Sequence, residues 1–306
     1  MKEYLGLFLK GAAMGAANVI PGVSGGTIAF ITNIYEKLIS ALKAFDLQAL
    51  LLLVKFDFTA FSEKVSLKFL IALGAGVIIS IISLAKLLEI AFTEYEILTL
   101  SFFFGLILAS IFSVAKEVKP WDFSAIVSFF IGVIIAISIA FLPPATANSN
   151  LFYMFLCGIV AVCSMILPGL SGSYILLLMG NYVLVLQAIS NFDLGILLPL
   201  LLGCVVGLIV FSRLLSYLFE NFRNQTISLL SGFVAGSLVI IWPWKRTEYL
   251  EVAEGKIKAV GYSWYLPEGN TDLFIALMLM ACGYFLVYFI DYLGSRTRNL
   301  PDKENN

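Results

Sequence analysis

From Ser124 to Tyr182 the chain carries no charged residue, and a second charge-free run extends from Phe69 to Ile82. Stretches of about 20 apolar residues match the roughly 30 Å hydrocarbon layer of a bilayer. A water-soluble fold of 306 residues could not hide so much continuous apolar chain. Composition agrees: 60% of residues are hydrophobic and only 13% are charged, about half the share of a soluble domain. In hydrocarbon every backbone group must be satisfied within the protein, which for such long apolar segments means helices. The expected class is therefore an all-α integral membrane protein.

Several function classes recede at once. The net charge of −1 gives no field for nucleic acid or an anionic surface. There is no histidine, which removes the commonest general base and metal ligand and weighs against hydrolysis. The four cysteines, Cys157, Cys163, Cys204 and Cys282, sit in apolar segments without metal-ligand spacing and read as small packing residues. No catalytic or metal-binding residue and no cofactor is predicted. Lys2 and Lys10 precede no cleavable signal pattern, so the N-terminus reads as uncleaved.

The chain repeats internally. Pro21-Gly22-Val23-Ser24-Gly25-Gly26 aligns with Pro168-Gly169-Leu170-Ser171-Gly172-Ser173 at an offset of 147, which also pairs Phe8 with Phe155, Gly11 with Gly158 and Tyr35 with Tyr182. Downstream the offset is 127, pairing Gly76 with Gly203, Lys86-Leu87-Leu88 with Arg213-Leu214-Leu215, and Gly105 with Gly232. The difference of 20 residues implies an insertion within about residues 47–67. Two registers separated by one insertion point to duplication, with a first repeat at 1–148 and a second at 149–306 forming one membrane domain.

Each half opens with a broken apolar segment (5–34; 152–181), followed by three long ones: 68–92, 97–115 and 124–142, then 195–219, 226–243 and 273–293. Pro and Gly at the breaks free backbone groups that lipid cannot satisfy, so each broken segment reads as a re-entrant helical hairpin buried in protein. Three crossings per half make the halves antiparallel. Loop charges fit this: Lys37, Lys43, Lys55, Lys64, Lys116, Lys119, Arg223, Arg296, Arg298 and Lys303 fall on one side. The other side receives the Thr93–Glu96 turn, the uncharged Pro143–Asn150 loop, and a 244–272 loop with four basic and five acidic residues. The positive-inside rule then places both termini in the cytoplasm. Trp121, Trp242, Trp244, Tyr95 and Tyr217 near segment ends read as interfacial anchors. The expected architecture is an inverted repeat, each half a re-entrant hairpin plus three transmembrane helices, as in secondary transporters with a midplane site.

The motifs suggest what that site holds. Pro21 or Pro168 ends an incoming arm, and Gly22, Gly25, Gly26, Gly169 and Gly172 permit a tight turn. Ser24 or Ser171 is placed to cap the outgoing arm. Bare N–H groups at a helix N-terminus form an anion site, to which Thr27 and Ser173 add hydroxyls. A helix break with close packing explains one such loop equally well; two equivalent loops favour a shared cradle for a phosphate or carboxylate. Asn18 and Asn181 are candidate amide ligands, or partners for backbone freed by the breaks. Lys86 and Arg213, equivalent cations within apolar segments, are candidates to recruit the anion or to snorkel to headgroups.

These residues carry a family resemblance. Gly15-Ala16-Ala17-Asn18-Val19-Ile20-Pro21-Gly22-Val23-Ser24-Gly25-Gly26-Thr27 with Ile34-Tyr35-Glu36, and Leu167-Pro168-Gly169-Leu170-Ser171-Gly172-Ser173-Tyr174 with Asn181-Tyr182, resemble the two repeats of the bacterial polyprenyl-phosphate transporter family over nearly the whole chain. The resemblance implies recycling of undecaprenyl phosphate, the carrier lipid of peptidoglycan and other envelope polymers, from the outer to the inner leaflet of the cytoplasmic membrane. It implies membrane lipids and no nucleic acid as partners. Two positions depart from the pattern: Asn18 stands where members often have Asp, and Val183 follows Tyr182 where they often have Glu. Neither a proton nor a sodium coupling ion is specified by any motif. The competing readings are a prenyl-lipid pyrophosphate phosphatase, a transporter of small soluble anions and a non-catalytic membrane scaffold.

Overall fold

A computed structural model describes residues 2–19, 24–253, 256–267 and 271–298. Helices dominate it. The first half holds α1 (Lys2–Val19), α2 (Gly25–Ile31), α3 (Tyr35–Lys43), α4 (Leu47–Val54), α5 (Phe58–Lys64), α6 (Leu67–Glu94), α7 (Glu96–Ala115) and α8 (Phe123–Ala140). The second holds α9 (Leu151–Ile166), α10 (Gly172–Leu178), α11 (Tyr182–Asn191), α12 (Leu194–Asn221), α13 (Arg223–Ile241), the strands β1 (Lys245–Ala253) and β2 (Lys256–Trp264), and α14 (Thr271–Arg298). The antiparallel β1–β2 hairpin lies within the 244–272 loop of an otherwise helical chain. Among the described residues, five helical stretches are long and apolar enough to cross a membrane: Leu67–Leu84, Glu96–Ala115, Phe123–Ala140, Leu194–Asn221 and Arg223–Ile241. The sixth expected segment lies in α14, whose apolar stretch runs Leu273–Phe289. The protein is a multi-pass membrane protein.

The order of elements recurs. α2 and α10 begin 147 residues apart, as do α3 and α11, while α6 and α12, each 28 residues long, begin 127 apart. The 20-residue difference falls on the short helices α4 and α5. The joints between the short helices also correspond: Asn33 (φ 56°) and Gly180 (φ 77°) occupy left-handed backbone at the same repeat position. At Gly180 a Cβ would lie 2.3 Å from the Ala145 carbonyl, so glycine is required there.

Helix pairing follows the same relation, and small residues decide it. α1 packs on α6 and α9 on α12, while α7 pairs with α14 and α8 with α13. A Cβ on Gly11 would stand 2.1 Å from the Leu73 carbonyl oxygen, and one on Gly158 would stand 2.1 Å from that of Leu200. On the facing helices, Gly76 meets the Phe8 carbonyl (2.1 Å) and Gly203 that of Phe155 (2.0 Å). The other two pairings use Gly105 against Met280 with Gly283 against Phe102, and Gly232 against Phe129 with Gly132 against Leu229. The last set exposes a third register, 151, linking Phe129 with Met280 and Gly132 with Gly283. The extra 24 residues, 151 against 127, contain the β-hairpin. Backbone-to-backbone approach of this kind is how small residues bind helices in lipid.

Polar contacts sort the chain ends of the helices into two groups. At one end Arg223 pairs with Glu36 (2.6 Å), Lys43 with Glu220 (2.8 Å), and the Asn224 side-chain amide donates to the Lys119 carbonyl (2.8 Å). At the other, Phe141 packs on Trp264, Trp242 on Trp244, and the Trp264 indole donates to the Val239 carbonyl (2.9 Å). Lys245 folds back from the hairpin, its ammonium donating to the Ile240 carbonyl at the C-terminus of α13. Burial lowers its pKa from 10.5 to about 8.

Candidate functional site

The first motif segment is ordered by its own side chains. Ser24, in extended backbone, accepts a hydrogen bond from the Gly26 N–H at 3.1 Å and so caps α2 as expected. One turn before the break, Asn18 extends back over the helix end and accepts from the Gly25 N–H at 2.7 Å. The Thr27 N–H donates to the Ser24 carbonyl at 2.9 Å. The first three amides of α2 are thus occupied within the protein, which corrects the expectation of bare N–H groups there. Pro21 and Gly22 lie outside the described residues.

The second motif segment is built differently. Its turn relies on Gly169 (φ 85°), whose backbone lies against the Phe233 carbonyl in the middle of α13; a Cβ would come within 2.7 Å. Pro168 and Gly169 are buried. Ser171 occupies the N-cap position of α10 but makes no side-chain cap bond. Its hydroxyl instead shares a 2.8 Å hydrogen bond with that of Ser173, which is exposed. The amides of Gly172 and Ser173 have no hydrogen-bond partner among the described residues. Met165 stands where the repeat places the counterpart of Asn18, so no amide side chain covers this helix end.

The two segments touch. Thr27, buried in α2, accepts a hydrogen bond from the Gly169 N–H at 2.9 Å. The Ser24 hydroxyl lies 3.3 Å from the Met165 carbonyl oxygen and 3.4 Å from that of Leu167. A Cβ on Gly26 would be 2.6 Å from the Ile166 carbonyl oxygen, so the loops pack backbone to backbone. The Tyr35 hydroxyl donates to that same carbonyl at 3.1 Å from within the core. In the sequence Tyr35 marks the repeat and the family motif without a role of its own; its recurrence as Tyr182 is the signal that the position matters.

Other candidates lie elsewhere. Asn181 is fully buried, but its amide brackets the preceding loop, accepting from the Asn148 N–H and donating to the Asn148 carbonyl, both at 2.8 Å. It therefore holds the loop between α8 and α9, and serves neither the motif contact nor the backbone freed by a break. Arg213 is exposed on α12 and forms no hydrogen bond or ion pair with either loop among the described residues. The Lys86 side chain lies outside the described residues. Beyond the loops, on the basic side, a cavity of about 330 Å³ is lined by Asn33, Tyr35, Glu36, Lys37, Glu117 and Arg223 among others. It is polar and presents both signs of charge.

Comparison with known proteins draws these features together. The profile of the family described as undecaprenyl phosphate translocase-like matches residues 14–258, and so spans both loops. A polyprenyl-phosphate transporter of Vibrio cholerae is 42% identical over 245 residues, covering 80% of each chain. A polyprenyl-phosphate transporter of Staphylococcus aureus is 31% identical over 256 residues, covering 77% of this chain and 85% of that one. No solved structure matches the chain at a significant level. With two paired motif loops inside the matched span and relatives alike over most of their length, the chain belongs to the undecaprenyl phosphate translocase-like family.

Proposed function

We propose that the protein carries a polyprenyl phosphate, undecaprenyl phosphate in the cell, from the outer to the inner leaflet of a bacterial cytoplasmic membrane, as a transporter rather than an enzyme. In this reading the halves 1–148 and 149–306 form an inverted repeat. α1–α2 enters and leaves from the basic, cytoplasmic side, and α9–α10 from the opposite side. The termini are cytoplasmic, and transport returns the carrier lipid to peptidoglycan precursor synthesis. The observation that carries the reading is the Gly169 N–H bond to Thr27, by which two equivalent loops meet beside the middle of α13. A phosphate headgroup alone in hydrocarbon is costly, on the order of tens of kcal/mol by ion solvation. Donors arranged at such a meeting point offset that cost while the prenyl chain stays in lipid.

The difference between the loops orders the steps. The second loop offers the Ser171 and Ser173 hydroxyls and the Gly172 and Ser173 amides, and receives the phosphate first. At the first loop Asn18 and Ser24 hold the helix end, and the phosphate displaces them as it passes inward. The names of the relatives and the family profile support polyprenyl phosphate as the substrate.

Ligand-induced thermal stabilisation of the purified protein tests the substrate. Undecaprenyl phosphate should raise the melting temperature, undecaprenol should not, and Ser171→Ala/Ser173→Ala should abolish the rise. Equal stabilisation by the alcohol would remove the phosphate from the account. Release of phosphate from undecaprenyl pyrophosphate by the protein alone would replace transport with hydrolysis.

A further inference from the structure

The two ends of the molecule are not closed in the same way. On the basic side α3 leaves its own half and packs across onto α12 of the other. Tyr35 lies against Phe219 with ring centroids 5.9 Å apart, and Ile39 is 1% exposed within the same seam. Two ion pairs bracket the seam. Lys43 reaches Glu220 at 2.8 Å and donates to the Ser216 hydroxyl at 2.8 Å. Glu36 reaches Arg223 at 2.6 Å. Glu36, Ile39, Ser40 and Lys43 recur at helical spacing, so one face of α3 carries both charges and the apolar strip between them.

The repeat says what should stand at the opposite end. An offset of 147 carries Glu36 to Val183 and Lys43 to Ser190, and 127 returns Glu220 to Thr93 and Arg223 to Glu96. Valine with glutamate, and serine with threonine, supply no pair of opposite charges. The helix packing differs in the same sense: the partners of α11 are α10 and α12, both of its own half. One seam is therefore tied across the halves by two charge pairs, and its symmetry mate has no residues to make them.

We propose that the α3–α12 seam is the gate on the basic side, latched by Glu36–Arg223 and Lys43–Glu220, and that the missing latch at the other end makes the resting protein open towards that end. These four are positioning residues that set which face the phosphate site opens to. The inference rests on the transport reading above. It assigns the charged cavity beside Arg223 to the far side of a closed gate, where the headgroup is received once the pairs part.

A lipid-free measurement separates this inference from the transport reading. Ile39→Cys, in a chain whose four cysteines are replaced by alanine, is labelled with a charged maleimide in nanodiscs. The latched seam gives slow labelling. Lys43→Gln/Arg223→Gln should speed it about fivefold, the scale of losing two exposed ion pairs, and Lys43→Glu/Glu220→Lys should keep it slow. Hydrogen exchange of the α3 amides in the chain with its native cysteines should rise in the same double variant, which covers failure of the cysteine-free chain to fold. Unchanged labelling and unchanged exchange in the double variant would overturn the latch, whatever the lipid assays show. Faster labelling in a protein that moves no lipid phosphate would keep the latch and sink the transport reading instead.

Discussion

Thr27 places a single hydroxyl against the Gly169 N–H of the other loop, 142 residues away in sequence. Thr27→Val keeps the shape and removes the acceptor, leaving the buried Gly169 N–H unpaired at a cost of about 1–3 kcal/mol. The variant should unfold at a lower temperature and lose about tenfold in lipid-phosphate transport, while Thr27→Ser should retain both; calorimetry and a flipping assay read the two effects. Lys245 supplies a pH test. Its folded pKa is about 8 against an ordinary 10.5, so between those values the unfolded chain binds a proton that the folded chain does not. Stability contributed by this group must therefore rise with pH across that window. Lys245→Met should remove that part of the slope in unfolding measured from pH 7 to pH 10. Thr27 was legible in the sequence as a hydroxyl near a break. Its partner was not, because local spacing carries no information about which distant amide folds onto it. Asn18 was legible as a partner for backbone freed by the break, the second of its two readings, and it is seated on the Gly25 N–H; which amide it takes was not legible.

At the scale of elements, glycine sets how closely helices approach. Gly76 and Gly203 occupy equivalent seams and each meets a carbonyl oxygen at about 2 Å from a built Cβ. Gly76→Ala and Gly203→Ala should each destabilise by about 1–3 kcal/mol, and by similar amounts. Gly74→Ala, two residues away with nothing within 4 Å, should be neutral or better; denaturant unfolding in detergent distinguishes the three. All six long apolar segments were legible in the sequence because an uninterrupted apolar run has few other fates, and among the described residues five of them are helices long and apolar enough to cross a membrane. The breaks were legible from Pro and Gly. The short helices α4 and α5 and the β-hairpin were not, since short amphipathic stretches and a mixed-charge loop have no strong period. The 151 register was not legible because glycine is its plainest mark, and a lone glycine match carries no signal without the contact it makes.

At the scale of the whole molecule, two insertions decorate an otherwise matched pair of element series: α4–α5 at the charged end and β1–β2 near the tryptophans. The paired glycine contacts relate the halves, while the ion pairs of the α3–α12 seam distinguish their two ends. A transporter that opens alternately to each face needs both: equivalent halves to exchange roles, and unequal seams to choose a resting state. The proposed function puts the phosphate site where the loops meet, and its direct measurement is flipping of a fluorescent polyprenyl phosphate in proteoliposomes containing wild type or loop variants. The account predicts that wild type accelerates flipping well above empty vesicles and that Thr27→Val/Ser171→Ala/Ser173→Ala returns it to the empty-vesicle rate in a protein that still folds. Flipping by the triple variant as fast as by wild type would contradict it.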